Sequence, residues 1–395
     1  MRIKELAHHP ERWLPAFGRR RCGAKDPQNR PGSDIRPDAE ERRIIGFDGL
    51  RAVAFLMVFV SHKAPSPRTE AVGSAGVWLF FVLSGFLIVR ILAASRVRIE
   101  AGAATPMDSL RVFYRNRFTR IVPVYYVFLL VLYTTPLGRS LNLGDESFKL
   151  ATWLYGTNFY VERHGWGTEL GHLWSLAVEQ QFYLLFAPAA LFLPRRYLGA
   201  LCGALIGASV LMHAALWWAG ASLVSFDVDT LANLGLIALG GLAGLHTKPL
   251  PGWLRNDAVL VGVLAAFLAL PLLAGEPGRW LLLGRLSGIL AALLLLQIAQ
   301  SPGSRAVALL DSAWLRRIGV ISYGAYLFHV PLHAEQVLAA LGLHLAAPRS
   351  VTLALDLALT LLLAEASWRL LEAPARRILR APARAARRPA LINPL

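Results

Sequence analysis

Long apolar runs recur from Ile44 to Leu371 with little interruption, and they constrain the fold more than any other feature. Each is about 20 residues long, the length of a helix that crosses the hydrocarbon of a bilayer. Backbone polar groups find no water there, so a spanning segment closes its hydrogen bonds within a helix or a closed barrel. The runs are continuous rather than alternating, which selects helices. Hydrophobic residues make up 55% of the chain and charged residues only 17%, against about 25% charged in a soluble domain. The expected fold is all-α: a polytopic transmembrane bundle of about ten spans. Their approximate positions are 44–63, 75–93, 119–137, 173–194, 198–218, 230–246, 257–274, 279–299, 313–332 and 350–371.

The formal net charge is +16. A basic balance of this size suits nucleic acid, an acidic surface or membrane topology, and the distribution decides among them. Most of the 41 Lys and Arg fall on one side of the expected spans. By the positive-inside rule that side is cytoplasmic and both termini lie there. The charge is therefore a topology signal, and no nucleic-acid partner is expected. Residues 1–43 form a basic tail rich in Arg, Pro and Gly, and residues 379–395 form a second basic tail. Both suit contact with anionic headgroups. The first tail lacks the apolar core and small-residue cleavage site of a signal peptide. Residues 44–378 form the membrane domain. Cys22 and Cys202 fall in a tail and a span, so neither a disulfide nor a metal site is expected.

Within the first run, Arg51 and His62 are 11 residues apart. Eleven residues turn an α-helix about 20° past three full turns, so both side chains share a face, roughly 16 Å apart along the axis. Ionisable groups inside a span mark functional sites by default. The alternative is that each reaches its nearer interface. Ser84-Gly85, within an almost wholly apolar second run, reads as a site of close helix approach. Arg117 and Arg120, three apart, share a face at the mouth of the third run, whereas Arg115 points elsewhere. An arginine pair of this kind captures phosphate or carboxylate, or serves as an ordinary positive anchor.

Gly171–Pro188 brings His172, Trp174, Ser175, Glu179 and two glutamines beside an apolar helix. Glu179 needs a partner or water at that depth, and His62 is a candidate. In the ninth run Tyr323, Tyr326 and His329 suit a polar cleft, and Tyr326 and His329 share a face. Asp356, Glu365 and Arg285 are further charges inside runs, with partners left open. Glu372 and its neighbouring arginines read as structural. The aromatic stretch Leu150–Tyr160 is too short to span; it is either a re-entrant piece lining a cavity or an interfacial belt.

Five of these stretches, in order and spacing, resemble the bacterial acyltransferase family 3 of integral-membrane O-acyltransferases. They are FDGLRAVAFLMVFVSHK, GVWLFFVLSGFLI, RFTRIVP, HLWSLAVEQQFYLL and ISYGAYLFHVPL. The family's usual Glu-Glu before Gln-Phe-Tyr is Glu179-Gln180 here, and its usual Arg-Arg is Asn116-Arg117. Some relatives carry a hydrolase-like domain after the last span; none is expected here. The resemblance implies transfer of an acyl group, acetyl by default, from cytoplasmic acyl-CoA. The implied acceptor is a hydroxyl of an envelope polysaccharide, lipid-linked sugar or secreted glycoside. It also implies the inner membrane as location and acyl-CoA as a substrate, with no bound cofactor. His62 is the expected general base, with an acyl-His variant left open, and Arg51 and Glu179 complete the catalytic set. Glu179 is expected to orient His62. Arg117, Arg120, Trp174, Ser175, Tyr323 and His329 are the expected substrate-binding residues. The competing reading is a glycolipid transporter or flippase, in which buried charges line a path without chemistry; the sequence shows no repeated halves to favour it.

Overall fold

The computed structural model describes residues 43–139, 141–273, 277–340, 342–343 and 347–379. The two basic tails outside these limits, Cys22 and the Arg285 side chain lie outside the described residues. Among the described residues the chain is all-helical, with no strand.

The helices follow the apolar runs. α1 (Phe47–Lys63), α2 (Pro67–Glu100) and α3 (Pro106–Thr134) come first. Ser66 and Thr105 cap α2 and α3 by accepting the N–H groups of Thr69 and Asp108, and proline follows each cap. Two short helices, α4 (Glu146–Trp153) and α5 (Thr157–His164), precede α6 (Trp174–Phe192) and α7 (Leu198–Trp218). Next come α8 (Leu223–Val228), α9 (Thr230–Leu245), α10 (Asp257–Ala269), α11 (Pro277–Gln300) and α12 (Arg305–Leu310). α13 (Ala313–Phe328), α14 (Ala334–Ala340), α15 (Arg349–Ser367) and α16 (Ala373–Leu379) complete the described order. A π-helical turn, Trp368–Glu372, joins the last two.

Each expected run overlaps one of these helices. Among the described residues, five helical segments suffice by length and composition to cross a membrane: Pro67–Glu100, Pro106–Thr134, Arg195–Trp218, Leu223–Leu245 and Arg349–Ile378. Asp257–Leu273 and Leu286–Gln300 are shorter apolar helices. Large apolar side chains such as Leu211, Trp218 and Leu362 stand exposed, which a multi-pass protein covers with lipid.

Two close crossings set the position of the site. α2 meets α9 at Gly85 and Gly240, where a Cβ would lie 1.7 Å from the Ile237 carbonyl oxygen and 1.9 Å from that of Val82. The close-approach reading of Ser84-Gly85 is thus observed for the glycine. α13 meets α1 at Gly319, where a Cβ would lie 1.8 Å from the Asp48 oxygen. Small residues let backbones touch in this way. By contrast Gly199, Gly203 and Gly207 of α7 have open space around them.

The aromatic stretch Leu150–Tyr160 folds into α4, α5 and the bend between them, where Tyr155 takes φ +53°. The bend is docked from within. Tyr125 and Tyr126 donate hydroxyls to the carbonyls of Thr152 (2.8 Å) and Trp153 (2.9 Å). The Gln181 amide donates to Tyr155 O (3.0 Å) and Asn158 Oδ1 (2.9 Å). Leu154 and Tyr155 line a cavity beside α3 and α6, which favours the cavity-lining reading over a belt.

The in-run carboxylates also find partners. Asp356 pairs with Lys63 (3.6 Å). Glu365 receives Arg317 through two nitrogens, at 2.7 and 2.6 Å, and Arg369 at 2.6 Å. Glu372 is buried, 3.5 Å from Arg376.

Candidate active site

α1 carries the two ends of the site. Near its start, Arg51 Nη1 donates to Asp48 Oδ1 at 2.6 Å, one turn back. Asp48 also holds Arg43 at 2.9 Å. Arg51 lines a cavity with Arg117 and Arg120 of α3. The structure thus converges three cations, from two helices, on one space. The Arg117 guanidinium lies 5.8 Å from the Phe113 ring centre and 6.0 Å from that of Tyr183. Both distances are within cation–π range. Tyr323 also lines this cavity, its hydroxyl donating to Ile121 O at 3.1 Å.

The middle of the cavity belongs to Glu179. Its Oε1 accepts hydroxyls from Ser84 of α2 and Tyr183 of α6. This corrects the expected pairing with His62. Tyr183 follows Glu179 by four residues and so shares its face, and Ser84 reaches it where α2 packs on α6. Glu179 faces the arginine cavity, and another group takes the place beside His62.

That group is His329. Its Nε2 lies 3.2 Å from His62 Nδ1, and the ring centres are 4.9 Å apart. His172 closes the cluster at 5.2 Å from His329 and 6.3 Å from His62. The backbone assigns the tautomers, because a carbonyl only accepts. His329 Nδ1 is 2.7 Å from Tyr326 O, so its proton sits there and Nε2 holds a lone pair. His62 Nδ1 is 3.0 Å from Val58 O, so it carries the proton and shares it with His329. His62 Nε2 is left as a free base. His62 is exposed whereas His172 and His329 are buried, so the basic nitrogen belongs to the reachable ring. Among the described residues, no group of three His, Cys, Asp or Glu is placed to hold a metal ion. The cluster is a hydrogen-bonded one.

Ser175 and Tyr326 form the wall between the two ends. Their hydroxyls are 2.6 Å apart, and Tyr326 also reaches His172 O at 3.0 Å. Both line the arginine cavity. Trp174 does not: it is buried with its edge on Phe81, ring centres 5.9 Å apart. From the start of α6 its ring turns toward α2.

The structure therefore brings together Arg51, Arg117, Arg120, Glu179, Ser175 and Tyr323 around one cavity, and His62 with His329 beyond its Tyr326 wall. Ser84, Tyr183 and His172 were not among the expected site residues. Tyr183 was signalled by its i+4 spacing from Glu179; Ser84 and His172 depend on contacts between distant segments.

A family model described as an acyltransferase domain matches residues 44–355. O-acetyltransferase OatA of Staphylococcus aureus is 28% identical over 317 residues, covering 74% of this chain and 51% of that protein. A putative peptidoglycan O-acetyltransferase, YrhL of Bacillus subtilis, is 30% identical over 74% of this chain and 49% of its own length. Peptidoglycan O-acetyltransferase OatA of Listeria monocytogenes is 28% identical, covering 72% and 48%. The chain thus spans about half the length of these curated relatives. No solved structure matches it.

Proposed function

This chain belongs to the acyltransferase domain family, and we propose that it is a membrane O-acyltransferase. It moves an acyl group, acetyl by default, from cytoplasmic acyl-CoA to a sugar hydroxyl of an envelope glycan. Peptidoglycan is the leading acceptor, since relatives carry that substrate in their names. The protein crosses the inner membrane about ten times with both termini in the cytoplasm, which presents the arginine end to the donor's compartment. The basic tails rest on anionic headgroups.

The observation that carries this reading is that Arg51, with Arg117 and Arg120 of α3, lies at one end of α1, and an unprotonated imidazole nitrogen of His62 lies at the other. Arg51, Arg117 and Arg120 bind the polyanionic donor; charge-assisted bonds from guanidinium suit phosphate. The thioester end lies toward Ser175 and Tyr326. At the other end, His62 Nε2 takes the proton of the acceptor hydroxyl as its oxygen attacks the thioester carbonyl. The C–S bond breaks, and the CoA thiolate takes that proton from His62 Nε2, which restores the base. His329 Nε2 accepts the hydrogen bond from His62 Nδ1–H while His62 is cationic, the service first expected of Glu179. Glu179 instead presents a fixed acceptor to the donor cavity through Ser84 and Tyr183.

The test uses the full chain in lipid nanodiscs with labelled acetyl-CoA and a solubilised glycan acceptor. Alkali-labile label on the glycan, absent with His62→Ala, supports the transferase. Movement of a lipid-linked glycan without label would instead support a flippase.

A further inference from the structure

His329 is the last residue that α13 holds: its N–H donates to Ala325 O and its Nδ1 to Tyr326 O. Residues 330–333 then form a turn and extended link before α14. How closely that end of α13 lies against α1 depends also on what fixes the link. Lys63, the residue after His62, supplies that fixing. Its Nζ donates to Leu332 O (2.5 Å) and Val330 O (3.4 Å), and lies 3.3 Å from His333 Nδ1. Asp356 of α15 completes the arrangement. One carboxylate oxygen faces Lys63 at 3.6 Å, and the other accepts the Ala334 N–H at 2.6 Å. The Lys63 and Asp356 side chains are only 3% and 7% exposed. Such a pair, inside a span, carries a desolvation cost that demands an explanation beyond stability.

We propose that Lys63 and Asp356 are positioning residues that latch the His329 link onto the end of α1 and so hold His329 against His62. Lys63 gathers the carbonyls on one side of the link, and Asp356 fixes both Lys63 and the first turn of α14. The latch ties α1, α13 and α15 together at the end of the site remote from the arginines. It rests on the reading of His62 as the base, and it adds that the sequence neighbour of that base sets its partner's position. Neither residue touches substrate in this scheme.

The test compares the full-length wild type with Asp356→Asn, Asp356→Glu and the double variant Lys63→Met/Asp356→Leu in nanodiscs. Two readouts are taken: the rate at which diethyl pyrocarbonate modifies His329, followed by mass spectrometry, and kcat and KM for acetyl-CoA. In Asp356→Asn, His329 is expected to react roughly tenfold faster, because a locally opened link exposes a ring buried in the wild type. The kcat is expected to fall roughly 10- to 100-fold, the size of effect that small misplacement of a reacting group produces. KM for acetyl-CoA stays within about twofold, since the arginine cavity is untouched, and Asp356→Glu recovers both readouts. The double variant guards against simple unfolding, because apolar replacement of a buried pair often preserves stability. Wild-type His329 reactivity in Asp356→Asn and in the folded double variant overturns the latch. So does raised reactivity with unchanged kcat. If His62→Ala, assayed alongside, turns over normally, the base reading fails; His329 reactivity still decides whether the link is latched, because it needs no turnover.

Discussion

The two ends of α1 solve different problems with the same helix. At the Arg51 end the site is built of full charges: three arginines line the cavity, Asp48 holds Arg51, and Glu179 stands in the wall. At the His62 end it is built of neutral rings ordered by backbone carbonyls, with three imidazoles, a tyrosine and a serine hydroxyl. The nearest opposite charges there, Lys63 and Asp356, neutralise each other behind the rings. In the proposed mechanism this difference keeps binding and chemistry apart. Fixed cations attract a polyanion over distance. An imidazole beside fixed carbonyls keeps one nitrogen basic and reachable.

Variants at the two ends should therefore separate kcat from KM. The largest effect is expected from His62→Ala: turnover falls roughly 10²- to 10⁴-fold, the usual weight of a general base. Binding of acetyl-CoA, followed by calorimetry in nanodiscs, stays unchanged. His329→Phe comes next, with kcat down roughly 10²-fold through loss of the acceptor beside His62 Nδ1. The KM for acetyl-CoA holds, and a rise in KM instead would erase the division between the ends. Arg117→Ala acts on the other side. Its KM for acetyl-CoA rises roughly tenfold or more, the weight of one charge-assisted contact of about 1.5–3 kcal/mol. The smallest effect is expected from Trp174→Phe, which keeps an aromatic edge on Phe81. Its kcat/KM stays within about threefold, an energy within 1 kcal/mol. A large loss there would return Trp174 to the substrate.

Much of the helical order was legible because each run has to satisfy its own backbone. The shared face of Arg51 and His62 was legible for the same reason: it needs only the pitch of one helix. The partner of Glu179 was not. Periodicity says which way a side chain points along its own helix, but not which helix stands opposite. That depended on α2 packing beside α6, which sets Ser84 against Glu179. His329 was read as lining a cleft through its spacing from Tyr326, yet its contact with His62 crosses 267 positions of sequence. Lys63 ends the first apolar run and nothing in the sequence singles it out. Only the docking of the link after α13 shows its ammonium buried among carbonyls. The packing of Trp174 on Phe81 was not legible either, since an aromatic at a helix start serves equally as lining or as packing.

The most direct measurement is mass spectrometry of envelope glycans from a strain lacking this protein, complemented by wild type or by His62→Ala. The expected result is loss of a single acyl mass from one glycan in the deletion, restored by wild type and not by His62→Ala. Restoration by both would remove His62 from the chemistry, and no mass change in any strain would contradict an acyltransferase acting on the envelope.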